Sequence, residues 1–123
     1  MSEKASRQQT EKDLDVKTAE QNVKNNQNDE VEGTFCHELF ELQKFNEELL
    51  QKLISDMKVL AASPREAIQS KSIKWIILNT MRCFTSHFNT NDLYKIENLN
   101  KEIYSRWSDE YFEEFKDILF NLD

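Results

Sequence analysis

The chain alternates between long polar stretches and a few dense apolar ones, and the spacing of the apolar positions is helical. From Phe35 the large side chains recur at Leu39, Leu42, Phe45, Leu49, Leu53 and Leu60, with a second stripe at Leu50, Ile54 and Met57. Intervals of three and four place such residues on one side of a helix. Thr34, just after the lone glycine Gly33, suits an N-cap. These signals predict a helix over residues 34–62, a rod about 42 Å long at 1.5 Å per residue. A strict heptad along it is a coiled-coil pattern that places Asn46 and Asp56 in the seam. The 3.6-residue period makes the stripe drift instead, so Asn46 is expected to face water.

"SPRE", Ser63 to Glu66, reads as a helix start: Ser63 as cap, Pro64 at the first helical position, Glu66 closing a capping box. A second helix then runs to about Phe88, joined to the first by so short a link that an antiparallel hairpin is expected. It contains "IKWIILNTMRCF", Ile73 to Phe84, in which eight of twelve positions are large apolar or thiol. Ile73, Ile77, Met81 and Phe84 form one stripe, while Trp75, Ile76, Leu78 and Cys83 occupy other faces. A helix apolar all round has to be covered all round. The expectation is that Ile76 is covered within the chain and Trp75 is left partly exposed.

"FNTND" predicts a break, with Thr90 or Asn91 capping a third helix whose Leu93, Ile96, Leu99, Ile103 and Trp107 turn inward. Ser108 followed by two acids predicts a further start, so a break or kink is expected there before "DEYFEEFKDILFNL". The fold class is therefore all-α: a small bundle of three to four helices with a long N-terminal antiparallel hairpin.

Composition sets the domain limits. Residues 1–32 contain no aromatic residue and, beyond Met1, only Leu14, Val16, Val23 and Val31 as larger aliphatics. Ordering a residue costs about 1–2 kcal/mol of backbone entropy, which so few apolar groups do not offset. A disordered polar tail is expected over 1–32, with the folded domain over 33–123. One Gly and one Pro in 123 residues leave few turns for a many-stranded sheet.

Charge and chemistry narrow the function. The net charge of −7 argues against direct nucleic-acid contact. Eight acids against five bases in the leader do not make a mitochondrial presequence, and no apolar run is long enough for a membrane span. The chain is expected to be intracellular, in nucleus or cytoplasm with the nucleus ahead, and to carry no cofactor. Its two cysteines read as free thiols. Cys83 and His87 stand four apart on one helix face, and Cys36 and His37 fall near that end of the hairpin, a weak candidate metal set. A buried core thiol is the preferred reading, because Cys36 and His37 are adjacent and diverge on a helix. No phosphate-binding glycine loop or nucleophile–base pair is present, so no enzyme is expected.

What remains is binding. From Trp107 to Asp123 the chain has six acids, one lysine and five aromatics. Trp75, Trp107, Tyr111, Phe112, Phe115 and Leu119 are the candidate partner-binding residues. The function expected is a non-enzymatic interaction subunit, a helical scaffold or adaptor in a larger complex. The alternative is a helical-bundle regulator that binds a partner helix in its groove, with a Cys/His metal or thiol protein behind both. Partners would be proteins, basic or helical in kind, and homo- or hetero-oligomers both suit it.

Overall fold

The computed structural model describes the backbone of residues 2–28 and 30–122, and side chains from residue 14 onward within that span. Among the described residues there is helix and irregular chain but no strand. The elements are α1 (Ser2–Gln27), α2 (Phe35–Phe40), α3 (Glu47–Ala61), α4 (Ala67–Phe88), α5 (Lys101–Arg106), a π-helical turn (Trp107–Tyr111) and α6 (Phe112–Asn121).

Thr34 caps α2 as its position suggests, its hydroxyl oxygen accepting from the His37 N–H at 3.1 Å. The rod expected over 34–62 is nevertheless two helices. After Phe40 the chain leaves the helical path, and Gln43 takes a left-handed φ of 59°. Asn46 lies neither in a seam nor on a solvent face: its side chain accepts from the Leu49 N–H at 3.1 Å and caps α3. An asparagine side chain competes with the helical ladder for backbone donors, which is why it favours such starts. The break also turns Phe45 into the core, where its ring lies edge-on to Phe35, Phe84 and Trp107. Leu42, by contrast, drops out of the apolar stripe and is 49% exposed.

At the next junction α3 ends at Ala61 as expected, but α4 is capped three residues later than Ser63. Glu66 is the N-cap residue, and its N–H donates to Gln69 Oε1 at 2.9 Å. Ser63 Oγ turns back to donate to the Val59 carbonyl at 2.7 Å. Arg65 closes the gap, donating to the Ala61 carbonyl at 3.1 Å and to Ser70 Oγ at 2.8 Å. With its hydroxyl turned back onto α3, Ser63 does not cap α4, and the helix begins after Glu66.

The third expected helix does not start at residue 90. Residues 92–96 are irregular and Leu93, expected to point inward, is 98% exposed. Side chains take the place of helical partners here. Asp92 Oδ1 accepts from Tyr94 N–H, and His87 Nδ1 accepts from Ile96 N–H, both at 2.9 Å. Asn98 brackets Phe45, accepting from its N–H at 2.8 Å and donating to its carbonyl at 2.9 Å. Glu97 N–H reaches the Gln43 carbonyl at 2.8 Å, so the two irregular segments are stitched together. Asn100 then caps α5.

No break occurs at Ser108. The chain passes from α5 to α6 through the π-helical turn, which turns both Trp107 and Tyr111 inward. Such a turn inserts an extra residue into a helical run without stopping it.

Around these elements the core is continuous. Leu50, Leu53, Met57 and Leu60 of α3, Ile73, Ile76 and Ile77 of α4, and Phe115 and Ile118 of α6 are all enclosed. Phe84 of α4 stacks on Trp107 with centroids 4.2 Å apart and planes 5° from parallel. Ile76 is covered within the chain, as the apolar segment required.

The leader departs from expectation in part. The side chains of residues 1–13 lie outside the described residues. From Val16 the structure shows α1 lying against α3 and α4, with Ala19, Val23 and Asn26 buried. Spacings of three and four put this thin seam on one face. Amides complete it: Asn22 Nδ2 donates to Asp56 Oδ2 at 2.7 Å, and Asn26 Oδ1 accepts from Cys36 N–H at 3.0 Å. Asp56 is thus paired with α1 and is no seam residue of a coiled coil. Direct contact between α3 and α4, the expected hairpin partners, is sparse by comparison with the contacts each makes to α1.

Candidate interaction surface on α4

Helix α4 has an enclosed inner face and a free outer one. Along the outer face Ile68, Lys71, Trp75, Leu78 and Arg82 follow one another at intervals of three and four. Ile68 is 58% and Leu78 61% exposed. Lys71 and Arg82 are exposed and Trp75 is half-buried. The strip from residue 68 to 82 is about 21 Å long at 1.5 Å per residue.

Trp75 is held in place. Its ring meets Phe40 of α2 edge-on, centroids 5.8 Å apart. Beside it a cleft of about 380 Å³ runs between Phe40, Asn79, Arg82 and Tyr94. At the other end of the strip Ile68 borders a cleft of about 630 Å³, floored by Val23 and Leu60 and edged by Lys17, Glu20 and Lys24 of α1.

The charge on α4 sets it apart. Its twenty-two residues carry Lys71, Lys74 and Arg82 and no acid. A net −7 for the chain and +3 for α4 leave −10 for everything else. Lys71 and Arg82 form no ion pair among the described residues. Lys58–Glu114, Arg106–Glu47 and Lys116–Glu113 are ion pairs on other elements.

The other candidate residues fall in two groups. Trp107, Tyr111 and Phe115 are enclosed in the chain's own core, at 5%, 4% and 1% exposure. Tyr111 also belongs to a polar clamp: its hydroxyl donates to Glu47 Oε2 at 2.9 Å, and Arg106 grips Glu47 through two bonds of 2.6 and 2.8 Å. The Arg106 hydrogen bond, aided by Tyr111, holds the Glu47 carboxyl below the usual carboxylate range. Phe112 and Leu119 are half-buried on the rim of α6.

The cysteines and histidines do not assemble. Cys36 is buried at the start of α2, its N–H bonded to Asn26. The Cys83 thiol lies against the Tyr94 hydroxyl, which donates to the Leu39 carbonyl. Burial pushes the Cys83 pKa up against the opposing pull of Tyr94 and Arg82, so the neutral thiol prevails. His87 accepts a backbone hydrogen bond, and burial, with the Lys95 charge, pushes its pKa down. Among the described residues no three His, Cys, Asp or Glu side chains gather as a metal-holding group. No helix among them is long and apolar enough to cross a membrane.

Of the residues on this strip, Trp75 is among the candidates expected from sequence and Leu78 among its off-stripe apolar positions, whereas Ile68 is neither. The signal was present: apolar residues interleaved with bases along one face of a helix free of acids. Comparison with protein-family models, curated proteins and solved structures finds no match.

Proposed function

We propose that this chain is a non-enzymatic protein–protein interaction subunit, a helical adaptor within a larger assembly, and that it docks through the outward face of α4. The observation that carries this reading is the alignment of exposed Ile68 and Leu78 with Trp75 on a helix whose opposite face is core. Single exposed apolar side chains are common and need no explanation. Three on one face, with a tryptophan fixed at the centre, resemble the anchor residues of an interface. Two unoxidised thiols suit an intracellular setting, nucleus or cytoplasm.

The seat of α1 between α3 and α4 supports a second reading, a regulator in whose groove a partner's helix replaces α1. Rapid amide exchange confined to α1 in a stable monomer would favour it.

The docking reading is tested by affinity capture from the cells that make the protein, comparing the native chain with Leu78→Glu. Circular dichroism verifies that the variant remains helical. Proteins held by the native chain and lost from the variant are the expected result. Equal capture by both removes α4 from the interface.

A further inference from the structure

We propose that the occupant of α4's outward face is an acidic amphipathic helix of a partner protein. This rests on the docking reading above and adds the chemistry of what docks. Lys71 and Arg82 flank Trp75 and Leu78 along the strip, and both are exposed. At the Ile68 end the strip runs into the cleft edged by Lys17 and Lys24 of α1, where Glu20 is the acid present. Glu41 and Asp92 stand at the opposite end, across the Trp75 cleft. The strip is therefore basic over most of its length, in a chain otherwise strongly acidic. A partner carrying carboxylates gains on approach to it, and a basic partner is repelled there.

Shape argues for a helix. The apolar positions 68, 75 and 78 form a straight ridge along α4, which packs against a second ridge with the same three- and four-residue spacing. No strand edge exists among the described residues to accept an extended segment. A nucleic acid strand would find bases along α4 but would meet −10 on the remainder of the chain, and would leave Ile68 and Leu78 unburied. A second copy has an acidic outer face on α6, but that face offers one well-exposed apolar residue, Phe120, against two on the strip, Ile68 and Leu78.

The test uses the full chain and three labelled probes followed by fluorescence anisotropy. One is a synthetic helical peptide of about four turns, matched in length to the strip, with leucines at three- and four-residue spacing and glutamates elsewhere. The second has every glutamate replaced by lysine. The third is a single-stranded DNA oligonucleotide. The glutamate peptide is expected to bind about tenfold or more tightly than the lysine peptide, and to weaken as salt rises. Leu78→Glu should abolish its binding, and Lys71→Glu with Arg82→Glu should weaken it about fivefold or more.

Equal affinity for the two peptides, or tighter binding of the oligonucleotide, overturns the proposal. So does self-association lost in Leu78→Glu when neither peptide binds. If the glutamate peptide fails while Leu78→Glu still strips proteins captured from cells, the docking reading stands and this one falls. If Leu78→Glu alters neither, both fall.

Discussion

Helix α4 and the α5–α6 segment are both rich in large apolar residues, yet they spend them differently. From Trp107 to Asp123 the C-terminal segment carries five aromatics among six acids, and it turns Trp107, Tyr111 and Phe115 inward. Its acids lie outside beside exposed Phe120 and half-buried Phe112 and Leu119. Helix α4 fills its inner face with Ile73, Ile76, Ile77 and Phe84, and still presents Ile68, Trp75 and Leu78 outward among bases. In a small domain aromatic residues are needed to close the core, so their abundance does not identify a surface. Exposure together with a local reversal of charge is what distinguishes the α4 face.

The contrast can be broken by substitution. Phe115→Ala removes a ring at 1% exposure from the middle of the core, and should cost about 3–5 kcal/mol in denaturant unfolding. A loss below about 1 kcal/mol would return α6 to the list of interfaces. Next in size is α1. Val23 is 2% exposed against α3 and α4, so Val23→Ala should cost about 1.5–3 kcal/mol. A silent change would mean that the leader does not dock, as a purely polar tail would behave. Asn98→Ala leaves the Phe45 backbone N–H and carbonyl without their side-chain partner, and should cost about 1–3 kcal/mol.

Acid should loosen the same segment by a smaller step. The folded pKa of His87 lies below its ordinary 6.5, because burial and Lys95 disfavour the charged ring. The neutral ring accepts the Ile96 N–H. Its contribution is therefore complete above about pH 6.5 and is lost as pH falls through the folded value. The effect should not exceed the roughly 0.5–1.5 kcal/mol of one hydrogen bond. Ile96 amide exchange, followed by NMR from pH 7.5 downward, reads it directly; protection unchanged all the way to global acid unfolding would contradict the assignment.

Much of the fold was legible in local patterns. Thr34 caps, α3 ends at Ala61, and α4 runs to Phe88, because each follows from spacing and capping chemistry within a few residues. The failures share a cause. Asn46 is compatible with a helix interior or a cap, and only the inward turn of Phe45 decides between them. Residues 92–96 are held irregular by His87 and by the pairing of residues 97 and 98 with Gln43 and Phe45, partners that no local window contains. The π turn hides because Ile103, Trp107, Tyr111 and Phe115 keep a helical period across it. The seam of α1 is thin, made of Ala19, Val23 and amides, and gives almost no hydrophobic signal. On the strip itself, Trp75 follows from the half-burial that a central helix in a small bundle leaves for one large side chain, while Ile68 and Leu78 are signalled only by the bases interleaved with them on a helix free of acids.

The division between an inward C-terminal segment and an outward α4 face is tested most directly by site-specific photo-crosslinking in the native cell. A photoreactive residue is placed at position 78 in one chain and at 113 in another, both exposed and both helical. Crosslinks to another protein from position 78 but not from 113 are expected. Crosslinks from 113 alone would move the interface to α6 and contradict the reading of α4.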